Sequence, residues 1–178
     1  MQRRIILLRG INLGPNKRVP MAELRELFKG AGFDDVRTYV QSGNVVVSSD
    51  ATPAELERLI ERLLEERFGF EVPVVARTRD ELAQVVERNP LGDVAENPKR
   101  YQVSFLAGEL DDGTVARLTE LASPTEQFVA DGRELYAWHP DGVARSKLWA
   151  QLADTKLGVK ATARNWTTVE TLLEMADE

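Results

Sequence analysis

The stretch IILLRGINLGPNKRVPM, Ile5 to Met21, joins two kinds of sequence. Four consecutive apolar residues, Ile5 to Leu8, read as a strand covered on both faces. They are followed by two glycines, two prolines, two asparagines and three basic residues, with no acid among them. Pro20 then stands at the start of an apolar repeat, Met21, Leu24, Leu27, Phe28 and Ala31, with helical spacing. Gly30 and Gly32 stop that helix. A buried strand, a long polar loop and a helix lying back over the strand make up the first half of a split crossover.

Working outward, Val36, Thr38 and Val40 alternate with Arg37, Tyr39 and Gln41, as in a half-buried strand. SGN, Ser42 to Asn44, is a turn into a second apolar run, Val45 to Val47. TPAE, Thr52 to Glu55, is a capping box with proline in the first helical position. The stripe Leu56, Leu59, Ile60, Leu63, Leu64 and Phe68 follows it and ends at Gly69. Val72 to Ala76 reads as a fourth strand. The order is βαββαβ, a ferredoxin-like unit.

Topology now places the loop. Strand one runs up and the first helix runs down, so strand two runs up again, and the turn from strand two to strand three is at the top. The loop Gly10 to Val19 leaves strand one at the same end. Arg9, Asn12, Lys17 and Arg18 therefore meet Gln41, Ser42 and Asn44, beside the N-terminus of the first helix, whose N–H groups favour an anion. Asparagines in turns also serve as internal braces. Strands one and three are central, apolar on consecutive residues and without aromatics. An RNA-recognition sheet keeps one face open with aromatics for stacking bases, so that use is not expected.

The second half repeats the plan in part. Thr78 to Glu81 is another capping box, with a helix to about Arg88. A strand is expected at Tyr101 to Ala107, and a helix capped by Asp111 or Asp112. A hairpin is expected at Glu126 to Trp138, turning at Asp131-Gly132, then a short helix capped by Ser146 and a last helix that ARNW begins. The fold class expected is α+β. A ferredoxin-like subdomain spans 1–77. A second, smaller unit of βαββ type with extra C-terminal helices spans 78–178 and packs on the first sheet.

Composition narrows the chemistry. The 178 residues are 43% hydrophobic, enough for one core or two small ones, with no cysteine and one histidine. Thiol chemistry, disulfides and clustered Cys or His metal sites are thereby excluded. The apolar run after Met1 to Arg4 is too short for a signal peptide, so a cytoplasmic protein without membrane association is expected. Net charge is −6, unfavourable for a general nucleic-acid binder. Yet residues 1–29 carry seven basic and two acidic side chains, residues 143–168 carry five and one, and the acid excess lies in 30–142. Two basic segments far apart in sequence can form one anion-attracting face.

No phosphate-binding glycine loop, dinucleotide fingerprint or G-x-S-x-G elbow is present. Ser42 is the nearest nucleophile. Its one imidazole partner, His139, precedes a proline at a hairpin end, where an exposed turn residue is expected. A Ser42–Lys17 pair would need a desolvated lysine.

The segments RGINLGPNKRVPMAEL, TYVQSGNVV and ARNWTTV resemble the domain of unknown function 1697 family. Pro15 stands where that family's pattern has a second glycine, and Lys17 where an asparagine is common. The resemblance implies a two-subdomain α+β fold in a bacterial protein and brings no activity, substrate or cofactor. It draws attention to Lys147, Leu148, Arg164, Asn165 and Trp166. Trp166 lies on the apolar stripe of the last helix, Asn165 or Thr167 is its cap, and Lys147 and Arg164 are the functional candidates.

The reading favoured by the sequence is a binding protein for a phosphate-bearing small molecule or nucleic acid. Arg9, Lys17 and Arg18 supply charge, and Asn12, Gln41, Ser42 and Asn44 orient the ligand. Lys147 and Arg164 close the site from the second half, and no cofactor or metal is called for. The alternatives are an enzyme on an anionic substrate using Ser42 or Lys17, and an interaction module whose polar loops only brace the fold.

Overall fold

A computed structural model describes residues 1–154 and 157–178. Fourteen elements follow one another: β1 (Gln2–Leu8), α1 (Met21–Gly30), β2 (Asp34–Tyr39), β3 (Asn44–Ser49), α2 (Pro53–Phe68), β4 (Val74–Thr78), α3 (Arg79–Arg88), β5 (Tyr101–Leu106), α4 (Asp112–Leu121), β6 (Gln127–Asp131), β7 (Glu134–Trp138), α5 (Lys147–Leu152), β8 (Ala161–Asn165) and α6 (Trp166–Asp177). They form an α+β fold of two compact units, one of residues 1–83 with 172–178 and the other of residues 84–171.

The first unit is ferredoxin-like. Its sheet has the order β2-β3-β1-β4, and every neighbouring pair is antiparallel. Ile6, Leu8, Val45, Val47, Val74 and Ala76 point to one face and pack with Leu24 and Phe28 of α1 and Leu56, Ile60 and Leu64 of α2. Residues of the other face, Ile5, Leu7, Val46 and Val75, are also at most 1% exposed, as continuous apolar runs require. The capping box at Thr52 forms as expected, with the Glu55 N–H donating to Thr52 Oγ1 and the Thr52 N–H donating to Glu55. The fourth strand begins two residues later than its apolar pattern suggests. Pro73 has no N–H to give to a ladder, and only its carbonyl is used, by the Arg9 N–H at 3.0 Å.

In the second unit the order is β6-β7-β5-β8, again antiparallel throughout. The expected βαββ series is present and continues through α5 into a fourth strand, β8. That strand lies where the last helix was expected to begin. Apart from Thr162, the residues of Ala161–Asn165 have little β propensity, and the ladder with β5 makes it a strand. One sheet face carries Leu106, Leu135, Ala137 and Ala161, packed with Leu118 of α4 and Leu148 and Leu152 of α5. The other carries Tyr101 and Tyr136. The Tyr136 hydroxyl donates to the Val85 carbonyl at 3.0 Å, and Trp166 stacks on Tyr101 at 4.9 Å between centroids. Burial pushes the Tyr101 phenol up to about 12. Among the described residues, no helix is long and apolar enough to cross a membrane.

Candidate functional site

The opening loop and the QSGN turn do meet at one end of the first sheet. Gly43 is the point of closest approach. Its carbonyl accepts from the Leu8 N–H at 2.9 Å, its φ is +87°, and a Cβ there would lie 2.6 Å from the Leu8 Cβ. Only glycine combines a left-handed backbone with that contact. Asn44 is fully buried, and its Nδ2 donates to the Tyr39 carbonyl and to Ser42 Oγ, so it holds the turn shut from inside.

Asn12 ties the loop to this turn. Its Nδ2 donates to the carbonyls of Val19 and Gln41, and its Oδ1 accepts from the Val19 N–H, all within 2.9 Å. Its own N–H donates to the Lys17 carbonyl, folding residues 12–17 back on themselves. Asn12 at φ 56° and Lys17 at φ 53° are left-handed, which asparagine tolerates better than most residues. The side chains of Lys17, Arg18, Gln41 and Ser42 are left on the outside, exposed, with Arg9 half-buried. Among the described residues neither Lys17 nor Arg18 forms an ion pair. Helix α1 starts here without a side-chain cap, because its N-cap is Pro20. Two apolar side chains also stand out, Leu13 at 84% exposure and Val40 at 51%. Val40 has φ 50°, unusual for a β-branched residue.

The candidates of the second unit sit in different settings. Lys147 is exposed at the start of α5 and lines a cavity of about 700 Å3 together with Arg145, Ser146 and Glu126. Arg164 is a strand residue rather than a helix residue. Its guanidinium donates to Thr162 Oγ1 and the Ala163 carbonyl, and burial lowers its pKa to about 10. Asn165 caps α6, its Oδ1 accepting from the Thr168 N–H at 2.9 Å.

His139 departs most from expectation. It is wholly buried, not an exposed turn residue. Its Nδ1 lies 2.5 Å from Glu126 Oε2, and its ring meets Trp149 edge-on. Ser146 Oγ donates to the same carboxylate oxygen at 2.5 Å while accepting from the Trp149 N–H. Burial pushes the Glu126 carboxyl up, but hydrogen bonds from Ser146, the Ser123 N–H and His139 outweigh it and hold it below the ordinary value. The Ser146 hydroxyl points its proton at a carboxylate and not at an imidazole, so the three groups form a structural knot and not a nucleophile with its base. Nothing in the pattern WHPDG revealed this, because the partner carboxylate is 13 residues away across a hairpin.

Similar proteins speak to the fold. The structure of the conserved bacterial protein SP0830 from Streptococcus pneumoniae superposes with a TM-score of 0.79 at 22% identity, covering 98% of each chain. No curated protein sequence matches the chain. A family model described as a protein of unknown function, DUF1697, matches residues 1–136, and the chain belongs to that family.

Proposed function

We propose that the tip of the first sheet binds an anion, as a phosphate-bearing small molecule or a nucleic acid. The observation that carries this reading is the pairing of a rigid base with an unneutralised rim. Asn12 anchors the loop to the QSGN turn, while Lys17 and Arg18 stand exposed without acidic partners beside a helix start that no side chain caps. Cations held near helix N–H groups favour a phosphate more than a solvated chloride, because several donors converge on one group. Gln41 and Ser42 supply further exposed donors at the same rim. The chain's net charge of −6 favours a small anion over long DNA.

A thermal-shift screen against phosphate, nucleotides, sugar phosphates and short oligonucleotides tests it. A ligand at a hundred times its dissociation constant stabilises by ~2.7 kcal/mol. In a chain of this size that raises the melting temperature by about 5–10 °C. The shift is expected to fall with salt, to vanish in Lys17→Ala/Arg18→Ala and to persist in Arg62→Ala on α2. A flat screen overturns the reading.

The buried Asn44 and the close Gly43 contact favour a second reading for the motif's inner residues, as braces of an interaction module. On that reading Asn12→Ala melts early and no anion shifts the melting temperature of the wild type.

A further inference from the structure

The second unit has an open sheet edge where the first unit's is closed. Strands β2 and β6 hold the same place in their sheets, at the outer end beyond the hairpin. Strand β2 is blunted in ways that edge strands usually are. Its register shifts between Asp34 and Arg37, Asp35 has a left-handed φ of 49°, and Arg37 donates to Glu178 and to the Met175 carbonyl. Strand β6 has none of these devices. QFVAD, Gln127 to Asp131, pairs with β7 in unbroken register and contains no proline and no lysine. Among the described residues its one ion pair, Asp131 with Arg88, is at the turn end.

Alternation fixes which groups are open. The Leu106 N–H bonds the Arg133 carbonyl, so Glu134 directs its own backbone groups away from β5 and toward Asp131. Asp131, Val129 and Gln127 then bond β7, and the N–H and C=O groups of Phe128 and Ala130 point outward. A trough of about 570 Å3 runs along this edge, walled by Val115, Thr119 and Ala122 on the α4 side and by Leu91. It shares Ala122, Ser123 and Glu126 with the cavity of about 700 Å3 that holds Arg145 and Lys147. The two adjoin at those residues, with Leu91, Val115, Ala122 and Phe128 beside the strand and Arg145 and Lys147 beyond its first residue. Arg145 and Lys147 are exposed and form no ion pair among the described residues. Of the three acids that line this cavity, Glu126 and Asp141 already accept from Ser146 and Thr125, and Glu120 is exposed on the last turn of α4.

From this we infer that β6 is a strand-addition site for an extended peptide of a partner protein. The peptide runs antiparallel to β6, places apolar side chains at alternate positions in the trough, and delivers a carboxylate from its C-terminal end to Arg145 and Lys147. Only an extended backbone matches donors and acceptors spaced two residues apart. The antiparallel direction brings the peptide's C-terminal end past Gln127 to the cations. The carboxylate is the terminus itself or an Asp or Glu side chain near it. This site lies wholly in the second unit and stands independently of the anion site at the first sheet.

The full chain is panned against a displayed random heptapeptide library with free C-termini, and enriched peptides are synthesised and titrated by fluorescence polarisation. Winners apolar at alternate positions are expected. Affinity should fall tenfold or more in Arg145→Glu/Lys147→Glu, which alters only exposed side chains. Ala130→Pro removes one outward N–H without touching the β7 ladder and should have a similar effect. The Phe128 and Ala130 amides should gain hydrogen-exchange protection with peptide, which decides the matter if Ala130→Pro fails to fold. Amidated winners that lose binding identify the terminus as the carboxylate, and amidated winners that keep it identify the side chain. No enrichment, or winners indifferent to the charge reversal and without protection at Phe128 and Ala130, overturns the proposal. So does a dimer that protects those amides without peptide, because a second copy then covers the edge.

Discussion

The two units are built on one plan and exposed in different places. Both run βαββαβ with the same strand order. In the first, the strand-to-helix connection from Arg9 to Pro20 is long, cationic and stitched to a hairpin turn. In the second, the connection from Ala107 to Asp111 is short, and the hairpin turns tightly through Gly132. The first unit closes its outer edge, and the second leaves its edge open. The comparison separates what the fold needs from what each copy adds. Helices on one face and a central apolar pair of strands are common to both, whereas loop length and edge chemistry differ.

The largest effect is expected where the first unit's turn is tightest. Gly43→Ala forces a left-handed alanine against the Leu8 Cβ at 2.6 Å and should cost about 3 kcal/mol. Gly132→Ala, at φ +60° but with open space around it, should cost about 1 kcal/mol. Denaturant melts of both variants check this, and equal losses would break the contrast between the two turns. Next, Asn12→Ala strands the Gln41 and Val19 carbonyls and the Val19 N–H, with a loss of about 2 kcal/mol expected. Val40→Asn should act in the opposite direction, stabilising by about 0.5–1 kcal/mol, because asparagine accepts φ 50° more readily than valine. A melting temperature unchanged in Val40→Asn would mean that the valine side chain compensates for its backbone.

The smallest effect is a slope with pH. The folded Glu126 carboxyl lies below its ordinary value, so the unfolded chain binds the extra proton as pH falls. Stability from this group is complete above the ordinary carboxylate value of 4.5 and is lost as pH drops through the lower folded value. Melting temperatures between pH 6 and pH 3 should fall more steeply in the wild type than in Glu126→Gln.

Much of this was legible residue by residue. The capping boxes at Thr52 and Thr78, the proline before α1 and the alternation around Thr38 are local signals, and the elements they mark are present. Even the meeting of RGIN with QSGN followed from counting strand directions. Illegible were the features that depend on partners distant in sequence. His139 is buried because Glu126 lies across a hairpin from it. That carboxylate meets its Nδ1 at 2.5 Å. Arg164 is a strand residue because β5 offers a free edge to a segment in which only Thr162 favours a strand.

The sequence by itself therefore determined the order of elements as far as α5, most of their caps and the end of the first sheet at which its polar loop lies, since these depend on periodicity, handedness and short-range hydrogen bonds. Only the tertiary structure decided which polar groups are spent on the fold and which face outward. That division depends on satisfying buried donors and acceptors across long loops, and on which of two like edges a neighbouring segment happens to cover.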